Sequence, residues 1–248
     1  MVTITVCLGN AVAYALFLYP LIESDVLAQC FTIIFVASFA LTVLSGICTM
    51  TIDPVDPLVV QAEEGDNEVH EDVLYCRYCR ASVQLDSKHC WDCNKCVANF
   101  DHHCPWLNTC IGTRNYGWFY VAIWAFFVML GTSSTAGCLV LVEDTQTSEN
   151  PLGLDVLYIW IIGIVLSVVN ISLCFLDLTL VIFHTYLCIR QITTYEYITG
   201  KVSKRKKEQK EKVREKPFGA PEFGAAHYAP RTLPTFNTSP YAAAVPQP

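Results

Sequence analysis

Charge is scarce in this sequence. Asp, Glu, Lys and Arg make up 16% of the 248 residues, against 53% hydrophobic, a balance too apolar for an ordinary soluble domain of this length. Positive charge is not in excess either: the net value of -7 excludes nucleic acid as a partner, because phosphate contacts need a basic surface. A serine nucleophile motif is missing, which argues against a hydrolase of that type. We find no internal repeat. Hydrophobic periodicity is absent from Pro217 to Pro248, a stretch rich in Pro, Ala and Thr for which no fixed structure is expected.

What is abundant is long apolar runs. A bilayer core about 30 Å thick needs roughly 20 apolar residues in helix, at about 1.5 Å per residue. Four segments qualify: Val2 to Ile22, Gln29 to Ile52, Tyr116 to Val142, and Leu154 to Ile189. The first two read as a hairpin turning at Glu23-Ser24-Asp25, and the last two are joined by the acidic stretch Glu143 to Pro151. The first lacks a basic start and a small-residue cleavage site, so it reads as a span rather than a signal peptide. All sixteen Lys and Arg lie between the second and third spans or after the fourth. By the positive-inside rule both regions are cytosolic. The basic run Lys201 to Lys216 reads as a solvated continuation of the last helix, with attraction to anionic lipid as a second reading.

Thirteen cysteines are present. Cys7, Cys30, Cys48, Cys138, Cys174 and Cys188 sit in or beside apolar segments, where cysteine behaves as a small hydrophobe. The other seven, Cys76, Cys79, Cys90, Cys93, Cys96, Cys104 and Cys110, share one polar loop with His89, His102 and His103. In a reducing compartment disulfides are disfavoured. The paired Cys-x-x-Cys spacing points to zinc. Two closed four-ligand sites would take eight of these ten groups and leave one cysteine and one histidine, the minimum for a base-activated thiol nucleophile. Asp101-His102-His103-Cys104 sets a carboxylate, two imidazoles and a thiol side by side, as such chemistry requires. The alternative is a purely structural double-zinc module of RING or LIM type, serving a non-catalytic membrane scaffold that binds proteins.

The motifs Cys76-Arg77-Tyr78-Cys79, His89-Cys90-x-x-Cys93-x-x-Cys96, Asp101-His102-His103-Cys104-Pro105-Trp106-Leu107-Asn108, Cys110-Ile111-Gly112 and Asn115-Tyr116 resemble the DHHC-type protein S-acyltransferases, or palmitoyltransferases. Asp53-Pro54, Thr193-Thr194-Tyr195-Glu196 and His184 at the fourth-helix end extend the likeness over roughly residues 1 to 200. The resemblance implies an all-α integral membrane protein with four transmembrane helices and a small cytosolic two-zinc domain between helices 2 and 3. It implies one zinc on Cys76, Cys79, His89 and Cys96, and a second on Cys90, Cys93, His103 and Cys110. Cys104 becomes the nucleophile, His102 its base, Asp101 the group that orients His102, Thr194 a support for Asp101, and Trp106 a lining of the acyl channel mouth.

The implied reaction moves a fatty acyl group from acyl-CoA, palmitoyl-CoA in the type reaction, through a Cys104 thioester to cysteines of cytosolic-face proteins. The implied partners are membrane lipid, acyl-CoA and those proteins. Golgi or endoplasmic-reticulum membrane is the family-level expectation. The expected organisation is helices 1 and 2 over residues 1–52, the zinc domain over 53–115, helices 3 and 4 over 116–192, and a cytosolic tail over 193–248, a basic helix followed by unstructured chain. One departure stands out. Val83-Gln84-Leu85-Asp86 replaces a Lys-Pro-x-Arg run common in the family, so a cation for the phosphates of CoA must come from elsewhere, with Lys88 the nearest substitute. Thr109 in place of a common Asn keeps a hydrogen-bonding group.

Overall fold

The computed structural model describes residues 2–22, 24–65, 73–142 and 152–201. Among these, four helices are long and apolar enough to cross a membrane: Thr3–Leu21, Asp25–Thr51, Tyr116–Val142 and Val156–Arg190. The chain is a multi-pass membrane protein. Its outward side chains are apolar along these helices, with Leu16, Ile33, Leu44, Val168, Phe175 and Ile182 all exposed. Such a surface is stable against lipid and not against water.

The first span is not continuous α-helix. Helix α1 (Val2–Ala13) passes through a π-turn at Tyr14–Leu18 into the short α2 (Tyr19–Leu21), which carries Pro20. A proline ring crowds the carbonyl four residues back and removes one hydrogen bond, and a widened turn absorbs both effects. Helix α3 (Asp25–Thr51) starts at an N-cap, Ser24, whose hydroxyl accepts from the Leu27 N–H. The acidic turn expected there is therefore tighter than a free loop, since Asp25 is already in the helix. Helix α4 (Pro57–Glu63) is a short helix on the hairpin side; α5 (Tyr116–Val142) and α6 (Val156–Arg190) are the last two spans.

The spans pack around Met129, Leu130, Ala136 and Val140 of α5, with Leu18, Phe35 and Ile159 against them. Tyr14 stacks on Phe35 with ring centroids 4.2 Å apart. Some polar groups inside this core bond one another across helices. Asn10 donates to Asn170 at 2.6 Å and accepts from Ser133 at 2.7 Å, joining three spans. Asn170, Asp177 and His184 recur every seven residues on one helical face, and all three are buried.

Between α4 and α5 the chain forms three antiparallel hairpins: β1 (Val73–Cys76) with β2 (Ala81–Gln84), β3 (Lys88–Cys90) with β4 (Lys95–Val97), and β5 (His102–Cys104) with β6 (Thr109–Ile111). These are copies of one unit. Cys76, Cys90 and Cys104 recur every 14 residues and pair across their hairpins with Ala81, Lys95 and Thr109. The turns close through Arg80, Asn94 and Asn108, each at positive φ, a conformation that asparagine tolerates and most side chains resist. The expectation that the chain holds no repeat is thereby corrected. The period is carried by a few turn and ligand positions, with Val83, Val97 and Ile111 also recurring at one place in the unit.

The hairpins are fastened to the membrane helices. Asp56 caps α4 through the Leu58 N–H, accepts from the Gln84 N–H at 2.8 Å, and takes a short hydrogen bond from the Ser87 hydroxyl. Asn115 donates to the carbonyls of Thr49 and Cys110 and accepts from Gly112 N–H. Gly112 is required by close approach: an added Cβ would lie 2.5 Å from Val97 Cγ1 and 2.9 Å from the Ala98 carbonyl oxygen.

The fourth span stops at Arg190, with Gln191 in the left-handed region. A separate helix α7 (Thr194–Thr199) follows behind a Thr193–Glu196 capping box and ends at Gly200. The last span is thus broken before the basic run, and residues 202–248 lie outside those described.

Candidate functional site

The repeat dictates how ligands meet. Each of the first two hairpins contributes Cys-x-x-Cys at its turn, and the hairpin after it contributes a histidine and a cysteine that face each other across its strands, His89 with Cys96 and His103 with Cys110. Two clusters result: Cys76, Cys79, His89 and Cys96, and Cys90, Cys93, His103 and Cys110. Sulfur lies 3.4 to 3.8 Å from His89 Nδ1 in the first and 3.4 to 3.9 Å from His103 Nδ1 in the second. A tetrahedral zinc with usual bond lengths separates S from N by about 3.6 Å, so both clusters fit a metal ion through Nδ1. Burial among neighbouring sulfurs raises the Cys96 and Cys110 thiols above their ordinary pKa, a cost that a coordinated dication reverses. Four protein ligands close each site, so zinc here would shape the loop without an open position for water.

The third hairpin has the first cysteine of the unit, Cys104, but carries Leu107 where the second would be, and α5 follows instead of a fourth hairpin. Cys104 therefore escapes both clusters. It is buried among Ile111, Tyr116, Phe119 and Val181, where the start of α5 meets the C-terminal part of α6. His102, on the same strand, gives Nδ1 to Asp101 Oδ2 at 2.8 Å, which leaves Nε2 for the thiol. Burial lowers the affinity of His102 for a proton, but its hydrogen bonds to Asp101 and Cys104 and their charges outweigh that, raising its pKa to about 9.

Asp101 is 1% exposed. Its Oδ1 accepts from Thr194 N–H at 3.1 Å and its Oδ2 from the Thr194 hydroxyl at 2.7 Å, while its backbone oxygen accepts from Tyr195 N–H. Charge-assisted hydrogen bonds of this kind hold a carboxylate ionised and fixed. Trp106, expected at a channel mouth, is 59% exposed, and its carbonyl accepts from the Thr3 hydroxyl at the start of the first span. Lys88 lies 5.7 Å from the ring centre of Tyr195, beside α7. Val83, at the start of the 83–86 stretch, is buried in one cluster with Val59 of α4.

Two neighbours of the site were given no role from sequence. Phe119 stands edge-on to His102 at 5.4 Å, and only its place one helical turn after Tyr116 could have pointed to it. Tyr116 hydrogen-bonds His184.

Fold and site together define a multi-pass membrane protein with a double Cys/His metal module and a thiol–imidazole–carboxylate array at the membrane edge. The chain matches the model of the DHHC palmitoyltransferase family over residues 69–201, and it belongs to that family. It is 38% identical over 148 residues to the probable protein S-acyltransferase 20 of Arabidopsis thaliana, covering 56% of this chain and 21% of that one. It is 37% identical over 142 residues to palmitoyltransferase ZDHHC18-A of Danio rerio, covering 54% and 28%. With palmitoyltransferase ZDHHC18 of Homo sapiens the figures are 32% over 136 residues, 53% and 33%. The matched stretch spans about a fifth to a third of these relatives.

Proposed function

We propose that the protein is a protein-cysteine S-acyltransferase that takes a fatty acyl group from acyl-CoA onto Cys104 and passes it to cysteines of other proteins. The observation that carries this reading is the Asp101–His102–Cys104 array held by Thr194. In the first half, the Cys104 thiol gives its proton to His102, and the thiolate adds to the thioester carbonyl. The carbon–sulfur bond to CoA then breaks, and the CoA thiolate leaves with the proton from His102. In the second half, a substrate thiol loses its proton to His102 and attacks the Cys104 thioester, and Cys104 leaves and is reprotonated. Each half exchanges one thioester for another, so the protein supplies thiolate formation and orientation rather than driving force.

In this reading Cys76, Cys79, His89 and Cys96 hold one structural zinc and Cys90, Cys93, His103 and Cys110 the other. Trp106 lines the acyl entrance with its amphipathic ring, and Lys88, set beside α7, offers the cation that the 83–86 stretch lacks. The acyl tail lies among the helices and palmitoyl-CoA is the donor. The hairpin domain (53–115) and the tail (193–248) face the cytosol, as the distribution of Lys and Arg supports, in Golgi or endoplasmic-reticulum membrane. The substrates are proteins presented at that face. The test is hydroxylamine-sensitive label from acyl-CoA on the purified protein: wild type acquires it and Cys104→Ser does not. Equal label on both would return the non-catalytic scaffold to the front.

A further inference from the structure

The fourth span brings a second imidazole to this site, and the reaction above gives it no task. His184 is 2% exposed. Its Nδ1 lies 3.2 Å from the Tyr116 hydroxyl, which in turn lies 3.4 Å from Cys188 Sγ. Its ring tilts against His102 with centroids 5.7 Å apart, and stands edge-on to Phe119 at 4.9 Å. Phe119 is itself edge-on to His102 at 5.4 Å. The His102 ring is thus tied at one nitrogen to Asp101 and bounded by His184 and Phe119.

We infer that His184, anchored by Tyr116, is a positioning residue that keeps the His102 ring turned toward Cys104; this rests on the reading of Cys104 and His102 above. A hydrogen bond to Asp101 at Nδ1 fixes one atom of the imidazole and still lets the ring pivot about it. Proton transfer needs the opposite nitrogen within hydrogen-bond reach of sulfur. The neighbours at the ring faces decide that, and a displacement on the order of 1 Å at a reacting group can cost roughly a hundredfold. A wall alone would be cheaper in leucine, since an imidazole this buried has to be given a hydrogen-bond partner. Tyr116 is that partner, and it is itself well seated. The Asn115 side chain beside it bonds three backbone groups, and Tyr116 N–H donates to the Gly112 carbonyl. The orientation of His184 is therefore set by the junction between hairpin and helix and handed on to His102.

Ligand atoms of Asp101, His102 and His184 lie within 4.8 Å of one another, which raises a third metal site as the rival. Asp101, however, already receives His102 Nδ1 and both Thr194 donors. The cluster reads as a hydrogen-bonded support.

The experiment is the rate of Cys104 alkylation by iodoacetamide in the purified full chain, resolved by mass spectrometry of its peptide, together with acyl-CoA-dependent self-acylation and zinc content. His102→Ala calibrates the underlying reading. His184→Ala should slow Cys104 alkylation and the self-acylation kcat by about tenfold or more, with the KM for acyl-CoA changed by less than about twofold and zinc unchanged. His184→Gln, which can still bond Tyr116, should recover part of the loss, and Tyr116→Phe should fall a few-fold in the same direction. Wild-type alkylation in His184→Ala with slow alkylation in His102→Ala overturns this inference alone. Wild-type alkylation in His102→Ala overturns the function beneath it. Loss of a bound metal in His184→Ala decides for the rival. Where His184→Ala does not fold, the near-isosteric Tyr116→Phe decides, and a wild-type rate there overturns the inference.

Discussion

Cys104 stands in its hairpin where Cys90 stands in the one before: each ends a strand that begins two residues earlier, and each precedes a turn closed by an asparagine at positive φ. One belongs to a metal cluster and the other does not, because Leu107 replaces the partner that Cys93 provides. The thiol proposed as nucleophile is thus a ligand position outside both clusters, held by the same hairpin backbone that positions ligands.

Metal content should separate these two cysteines. Elemental analysis of the purified protein is expected to give two zinc ions per chain. Cys104→Ala should keep both. Cys90→Ala should lose metal and expression together, since structural zinc contributes folding free energy directly. A stoichiometry near one, or iron in place of zinc, would break the ligand assignment.

The pH dependence has opposite signs in two variants. His102 holds a proton up to about 9, so at neutral pH the proton given up by Cys104 stays on the imidazole and can pass to departing CoA. Wild-type self-acylation should therefore decline as pH rises through about 9. His102→Ala should be slow at pH 7 and rise over the same range, as an unassisted thiol near pKa 8.5 ionises. Asp101→Asn removes a cause that raises His102, so its decline should begin at lower pH. Initial rates from pH 6 to 10 check this, and parallel profiles would remove His102 from proton transfer.

The carboxylate depends on Thr194. Thr194→Val deletes the 2.7 Å hydroxyl bond to Asp101 while keeping size, and should lower self-acylation several-fold, whereas Thr194→Ser should stay near wild type. Removing a donor to a buried charged acceptor costs about 1.5 to 3 kcal/mol. A wild-type rate in Thr194→Val with a loss in Thr194→Ser would show that the methyl, not the hydroxyl, matters.

Inside the membrane, Asn10→Leu should destabilise the bundle by removing both bonds to Asn170 and Ser133. Interhelical hydrogen bonds of this kind are worth about 0.6 to 1.7 kcal/mol each. Thermal unfolding in detergent measures the effect, and an unchanged midpoint would show the network to be neutral.

Gly112→Ala should be more damaging than its size suggests, because a Cβ there meets the Ala98 carbonyl oxygen, which belongs to backbone and cannot swing away. Lower expression with loss of zinc is expected. A stable, fully metallated variant would show that the β6 end can shift.

The spans were legible because their length and apolarity exceed what any core requires, and the helix bounds differ from expectation by a few residues at caps such as Ser24 and Asp155. The ligand sets assigned from the resemblance to the two clusters coincide with the groups that the fold brings together. Three things were not legible. The hairpins lack the alternation that signals strands, being three or four residues long and dictated by ligands rather than by a core. Their 14-residue period was hidden because the first unit carries Tyr75 and Ser82 where the later ones carry His89, Cys96, His103 and Cys110. The embrace of His102 by Phe119 and His184 depends on how α5 and α6 meet, which no local pattern records.

The middle hairpin has a consequence for biogenesis. It gives His89 and Cys96 to one cluster and Cys90 and Cys93 to the other, so neither half of the loop can mature without it. Cys104 rides on the last hairpin, whose His103 and Cys110 join it to that middle one in the second cluster. Under the proposed function, a chain short of metal is expected to lose the ordered strand that sets Cys104 beside His102, and its self-acylation with it. Expected activity and metal loading are thereby tied to one shared element, the middle hairpin.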